Sequence, residues 1–230
     1  MRYERQVLVF DADDTLWENN VLFERVIGEF LDWVEQPGRD RGQVRAVLDG
    51  IQAANARVHG YGSGMLLRSL VDCVERLYGR AATARERGEV TAMAAVLLDA
   101  RVELIPGVAE TLEVLGGRHE LLLLTKGDPQ EQRRKLDASQ LAHHFRAVGI
   151  VAEKNSETYR HFARTHALTP ASSWMIGNSP KSDILPARQA GMNAVFIPHE
   201  HTWVLEHGEL DPQDQGVLRL PAFSQLLEHF

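Results

Sequence analysis

The run Val7-Leu8-Val9-Phe10-Asp11-Ala12-Asp13-Asp14-Thr15-Leu16-Trp17 passes from four apolar residues into three carboxylates and a threonine. The apolar half, with two β-branched residues, has the make-up of a short buried strand. In an open α/β sheet, ligands bind beyond the carboxyl ends of the strands, which is where the acids would fall. Carboxylates this crowded repel one another unless a cation or a hydrogen-bond network offsets the charge. Hard cations take oxygen ligands, so the cluster points to a Mg²⁺ site; an acidic turn capping the next element has the same composition.

Further strands are expected at Glu120–Thr125, Ala147–Val151, Ser173–Ile176, Ala194–Ile197 and Val217–Leu220, after a first at Gln6–Phe10. Unbroken apolar runs such as Leu121-Leu122-Leu123-Leu124 suit strands covered on both faces. Helical patterns near Val108–Leu115, Gln130–Leu136, Ser156–His166 and Lys181–Ala190 separate them. That alternation implies right-handed crossovers and a mostly parallel sheet, an α/β fold. Between residues 18 and 104 the pattern is helical throughout, with candidates at Val21–Glu35, Gln43–Val58, Met65–Tyr78 and Arg85–Leu98. Loops at Pro37-Gly38 and Gly60–Gly64 divide them. So long a stretch exceeds a simple crossover. It reads as an inserted helical subdomain folded over the sheet's carboxyl edge, with a return hinge at Glu103–Pro106. The expected division is residues 1–17 with 105–230 as core and 18–104 as insert.

The chain of 230 residues is 44% hydrophobic and carries a formal net charge of −7. That balance is typical of a globular protein and argues against a nucleic-acid surface. Cys73, the only cysteine, excludes an intrachain disulfide and fits a reducing compartment. The first residues carry charges and then only a brief apolar run, unlike a signal peptide or membrane anchor, so a cytoplasmic location is expected. The Gly60–Gly64 stretch lacks the Lys-Ser/Thr ending of a phosphate-binding loop and reads as an inter-helix turn. The pairs His143-His144 and His199/His201 read as solvated loops, lacking further ligands at suitable spacing.

Three later motifs follow successive strands. Thr125-Lys126-Gly127-Asp128 ends the second, with a hydroxyl able to donate to a phosphoryl oxygen. Glu153-Lys154-Asn155-Ser156 follows the third. Lys154 is informative because the chain has four lysines against twenty-one arginines, and Lys126, Lys154 and Lys181 all lie at strand ends or the loops leaving them. Gly177-Asn178-Ser179-Pro180-Lys181-Ser182-Asp183 follows the fourth and places Asp183 in a first helical turn.

The order Asp-x-Asp-x-Thr, Thr, Lys, Gly-Asn-Ser-x-x-x-Asp resembles the haloacid-dehalogenase-like hydrolase superfamily, in its phosphatase branch with a helical cap inserted after the first motif. The resemblance spans Val7 to about Pro198. It implies a Rossmann-like three-layer core with a parallel sheet. It also implies Mg²⁺-dependent hydrolysis of small phosphorylated metabolites through an aspartyl-phosphate. By similarity Asp11 is the nucleophile and Asp13 the acid and base. Thr125 and Lys154 would hold the phosphoryl group, with Lys126 and Gly127 beside them. Asp11, Asp13 through its backbone carbonyl, and Asp183 would ligate Mg²⁺, and Asn178 could orient a metal-bound water. Two departures stand out: Asp14 replaces a frequent glycine, where a structural role is expected, and Asn178 replaces a frequent aspartate. Alternative readings are a 2-haloacid dehalogenase or phosphomutase of the same superfamily, or a non-catalytic binding protein on the scaffold. Asp13 speaks against dehalogenation, because halide departs without a proton.

Overall fold

The computed structural model describes residues 3–34, 38, 40–98 and 102–230. Six strands, β1 (Val7–Phe10), β2 (Glu120–Lys126), β3 (Ala147–Val151), β4 (Ser173–Gly177), β5 (Asn193–Phe196) and β6 (Val217–Arg219), form one sheet in the order β3-β2-β1-β4-β5-β6. All pairings are parallel. β1 lies between β2 and β4, with Phe10 opposite Leu123 and Ile176, so the motif-bearing loops leave one edge together.

The apolar runs are explained by burial on two sides. Leu8, Phe10, Leu121, Leu123, Trp174 and Ile176 join one core with Val108, Leu112 and Leu115 of α5 (Val108–Gly116). Val9, Leu122, Leu124 and Met175 join another with Tyr159 and Phe162 of α7 (Ser156–Thr165). The chain end completes the first layer. A short 3₁₀ turn at Phe223–Gln225 and helix α9 (Leu226–His229), neither legible in the sequence, bury Phe223, Leu226 and Phe230.

The chain divides into two compact units, Met1–Asn20 with Arg101–Phe230 and Val21–Ala100. Among the described residues the second is helical: α1 (Asn20–Trp33) enters it, followed by α2 (Arg41–His59), α3 (Ser63–Tyr78) and α4 (Ala84–Ala94) with a 3₁₀ extension at Ala95–Leu98. Its own core contains Val26, Ile27, Phe30, Leu48, Leu66, Leu70, Cys73 and Val90. Asp40 and Thr83 start α2 and α4 with capping boxes completed by Gln43 and Glu86.

Several boundaries differ from expectation. Ser63 and Gly64 belong to α3, so the turn is Gly60-Tyr61-Gly62, with positive φ at both glycines. The helix expected at Lys181–Ala190 is a π-type turn, Pro180–Ile184, leading into the short α8 (Leu185–Gln189); Pro186 has no N–H to continue a regular ladder. Glu35 and Pro37 of the expected elements lie outside the described residues. The return segment is pinned within the first unit: Glu18 N–H donates to Glu103 O at 2.8 Å and Ile105 N–H to Leu16 O at 3.0 Å.

Candidate active site

Each candidate group comes from a strand end or the turn after it. Asp11 follows β1, and its N–H donates to Ile176 O at 2.9 Å, which ties it to β4. Lys154 follows β3, and its ammonium donates to Asp11 Oδ1 at 2.5 Å and to Asp183 Oδ1 at 2.8 Å. Asp183 Oδ2 accepts from Ser179 N–H at 2.9 Å across the π-type turn. Gly177 makes this fit possible, because a Cβ there would collide with the Asp183 carboxylate. Asp11, Asp183 and Lys154 are all buried.

Burial and the neighbouring Asp183 hold the Asp11 carboxyl up at about 7, against the opposing pull of Lys154. Burial pulls the Lys154 ammonium down, but Asp11 and Asp183 outweigh it and leave it above its ordinary value. Two buried carboxylates thus share one ammonium. An all-oxygen set with excess negative charge suits a divalent hard cation, so the residues present fit Mg²⁺. Thr15 donates its hydroxyl to Asp11 Oδ2 at 3.1 Å and lies 3.3 Å from Asn178 Oδ1. Asn178 Nδ2 donates to Thr202 Oγ1 at 3.0 Å, a partner that no motif announced.

Asp13 sits in a cage of donors. Trp17 Nε1 donates to its Oδ1 at 2.7 Å, Gln132 Nε2 to its Oδ2 at 2.8 Å, and Lys135 Nζ lies 3.1 Å from both oxygens. Gln132 and Lys135 come from α6 (Pro129–Ser139) and were missed by sequence reasoning. Thr125, buried at the end of β2, donates to Gln132 Oε1 at 3.2 Å.

Lys126 and Gly127 depart from the phosphate-binding expectation. The Lys126 ammonium is engaged by Glu206 Oε1 at 2.6 Å and Ser182 Oγ at 2.8 Å. Burial acts to raise the Glu206 carboxyl, but Lys126 and the nearby hydroxyls outweigh it and lower the group. Gly127 spends its N–H on Val151 O, adopts a positive φ of 146°, and by lacking a Cβ leaves room for Gln132. Asp14 has φ 59°, in the left-handed region where Asp is tolerated, and its Oδ1 accepts from Asn19 and Asn20 N–H at 2.9 Å each. Burial first, with Asp13 adding, raises its carboxyl to about 6.

The two histidine pairs are not simply solvated. His199 Nε2 lies 3.1 Å from Glu18 and its Nδ1 accepts from His201 N–H at 3.2 Å. His144 is packed against Glu113 at 3.8 Å in a 3₁₀ turn. Asp14-Glu18-His199 and Glu113-His143-His144 each bring three potential ligand atoms together, both apart from the Asp11–Asp183 pair.

A family model described as haloacid dehalogenase-like hydrolase matches residues 6–191. The chain is 22% identical to human N-acylneuraminate-9-phosphatase over 241 residues, covering 97% of this chain and 95% of that protein. It is 35% identical to phosphoserine phosphatase of Thermus thermophilus over 82 residues, 34% of this chain and 33% of that protein, so it spans about a third of that relative. Among solved structures, a haloacid dehalogenase-like family hydrolase from Xanthomonas campestris superposes with a TM-score of 0.81 at 25% identity, covering 96% of this chain and 92% of that one. L-2-haloacid dehalogenase from Xanthobacter autotrophicus shares the fold, with a TM-score of 0.65 at 16% identity over 97% of both chains.

Proposed function

Because the chain belongs to the haloacid dehalogenase-like hydrolases, we propose that it is a Mg²⁺-dependent phosphomonoesterase. In this reading it acts on small phosphorylated metabolites through an aspartyl-phosphate on Asp11. The observation that carries the reading is the buried Lys154 ammonium bridging Asp11 and Asp183, with a third carboxylate, Asp13, two residues from the nucleophile. Phosphoryl transfer needs in-line positioning and charge stabilisation more than covalent help from the protein.

Asp11 attacks phosphorus, and Asp13 protonates the departing ester oxygen. Thr125 turns its hydroxyl from Gln132 to a phosphoryl oxygen, and Lys154 offsets negative charge there and on Asp11. Asp13 then takes a proton from the water that hydrolyses the phosphorylated Asp11. Mg²⁺, when held by Asp11, Asp183 and the Asp13 carbonyl, supplies positive charge for the transferring phosphoryl group. The helical unit Val21–Ala100 takes the role of a cap that restricts substrates to small ones.

The phosphatases among the relatives suggest phosphoserine and N-acylneuraminate 9-phosphate as first substrates to assay, beside sugar phosphates and nucleotides. We expect phosphate release that stops in excess EDTA and in Asp11→Asn. Halide release from 2-haloacids that persists in EDTA, without phosphate release from any ester, would refute the proposal.

A further inference from the structure

We propose that Gln132, Lys135 and Trp17 are positioning residues that hold Asp13 as the base for hydrolysis of phosphorylated Asp11. The inference rests on the phosphatase reading above. Gln132 and Lys135 are three residues apart and share one face of α6. Asp128 starts that helix by accepting from Gln130 and Glu131 N–H at 3.0 and 2.9 Å, which fixes where the face points.

Every partner of the Asp13 side chain in this cage is a donor. Together they reach both carboxylate oxygens, Trp17 at 2.7 Å, Gln132 at 2.8 Å and Lys135 at 3.1 Å. The cage fixes where the carboxyl group points, which is what a group that must meet the attacking water requires. Lys135 is itself held, by Asn19 Oδ1 at 2.6 Å and Glu131 at 3.4 Å. Gln132 is buried and lies over Gly127, where an added Cβ would meet Nε2 at 3.1 Å. Cage and glycine are thus one local design.

The step balances. Water oxygen bonds to phosphorus, the bond between phosphorus and Asp11 breaks, and the water proton passes to Asp13. Asp13 returns that proton to the leaving oxygen in the next turnover. Loss of the cage should slow dephosphorylation while sparing attack on an ester whose leaving group needs no proton.

The test uses full-length protein, Mg²⁺ and p-nitrophenyl phosphate. In Lys135→Met and Gln132→Leu we expect kcat to fall about 100-fold. KM should fall with it, leaving kcat/KM within about threefold, because only a step after nitrophenol release is slowed. A burst of nitrophenol matching the enzyme concentration should precede the slow phase. Lys135→Arg should recover most of kcat, and Trp17→Phe, which deletes a donor but keeps an aromatic ring in its slot, should show the burst with the core intact. Parallel loss of kcat and kcat/KM without a burst would overturn the positioning role. Absence of turnover in the wild type would instead sink the phosphatase reading, and this inference with it.

Discussion

Asp11, Asp183 and Lys154 are 8%, 0% and 4% exposed, so two carboxylates and one ammonium interact with little solvent between them. An Asp11 carboxyl that ionises at about 7 rather than 3.8 makes the folded chain bind a proton that the unfolded chain has released over that window. The Asp11 contribution to the stability of the metal-free protein therefore falls as pH rises from 3.8 to about 7. Mg²⁺ favours the ionised form, so it should raise Tm more above pH ~8 than near pH ~5. Equal Mg²⁺ shifts at both pH values, followed by thermal melts, would contradict this. A second residue-scale effect belongs to His119. Burial, with Arg118 adding, lowers its imidazole, and its Nδ1 accepts from Gln6 N–H at 3.1 Å. The unfolded chain takes up the proton first, so the His119 contribution should decline as pH drops below 6.5, opposing the Asp11 trend. His119→Gln should flatten that decline in acid-side melts.

At the scale of elements, two glycines set how closely chain segments approach. A Cβ on Gly177 would overlap the Asp183 carboxylate. Gly177→Ala should therefore move Asp183 off Lys154, lowering kcat/KM and raising the Mg²⁺ concentration needed for half-maximal activity; an unchanged Mg²⁺ dependence would count against Asp183 as a ligand. Gly149 lies where β3 meets α7, and a Cβ would stand 2.8 Å from Phe162 and 3.0 Å from Leu124. Gly149→Ala should cost about 1–3 kcal/mol in denaturant melts through overpacking, while leaving the site chemistry alone.

The sheet was readable in the chain because strands buried on both faces leave long apolar runs, as at Leu121–Leu124. The meeting of Asp11, Lys154 and Asp183 could be anticipated only because their motifs follow strands that lie within one parallel sheet, β3, β1 and β4. The cage around Asp13 could not. Gln132 and Lys135 sit on a polar helix with no motif, although Lys135 is the one lysine of four outside the strand ends and their loops. Lys126 shows the converse: it stands beside Thr125 in sequence, but its ammonium meets Glu206, eighty residues away. Pairings set by tertiary approach leave no periodic trace.

At the scale of the whole molecule, the two units have separate hydrophobic cores. Leu70 is fully buried in the helical one, and Leu70→Ala should cost that unit about 2–5 kcal/mol. Hydrogen exchange should quicken within Val21–Ala100 and leave the β1, β2 and β4 amides protected. Uniform acceleration across the sheet would mean that the units unfold as one.

In the proposed mechanism phosphorus becomes bonded to Asp11. Rapid acid quench of the enzyme turning over a phosphomonoester with Mg²⁺, followed by peptide mass spectrometry, tests it directly. The peptide containing Asp11 should carry one phosphoryl group in the wild type and none in Asp11→Asn, with the quenched amount rising in Lys135→Met. Turnover with that peptide unmodified at every quench time in both proteins, or a phosphoryl group on another residue, would contradict it.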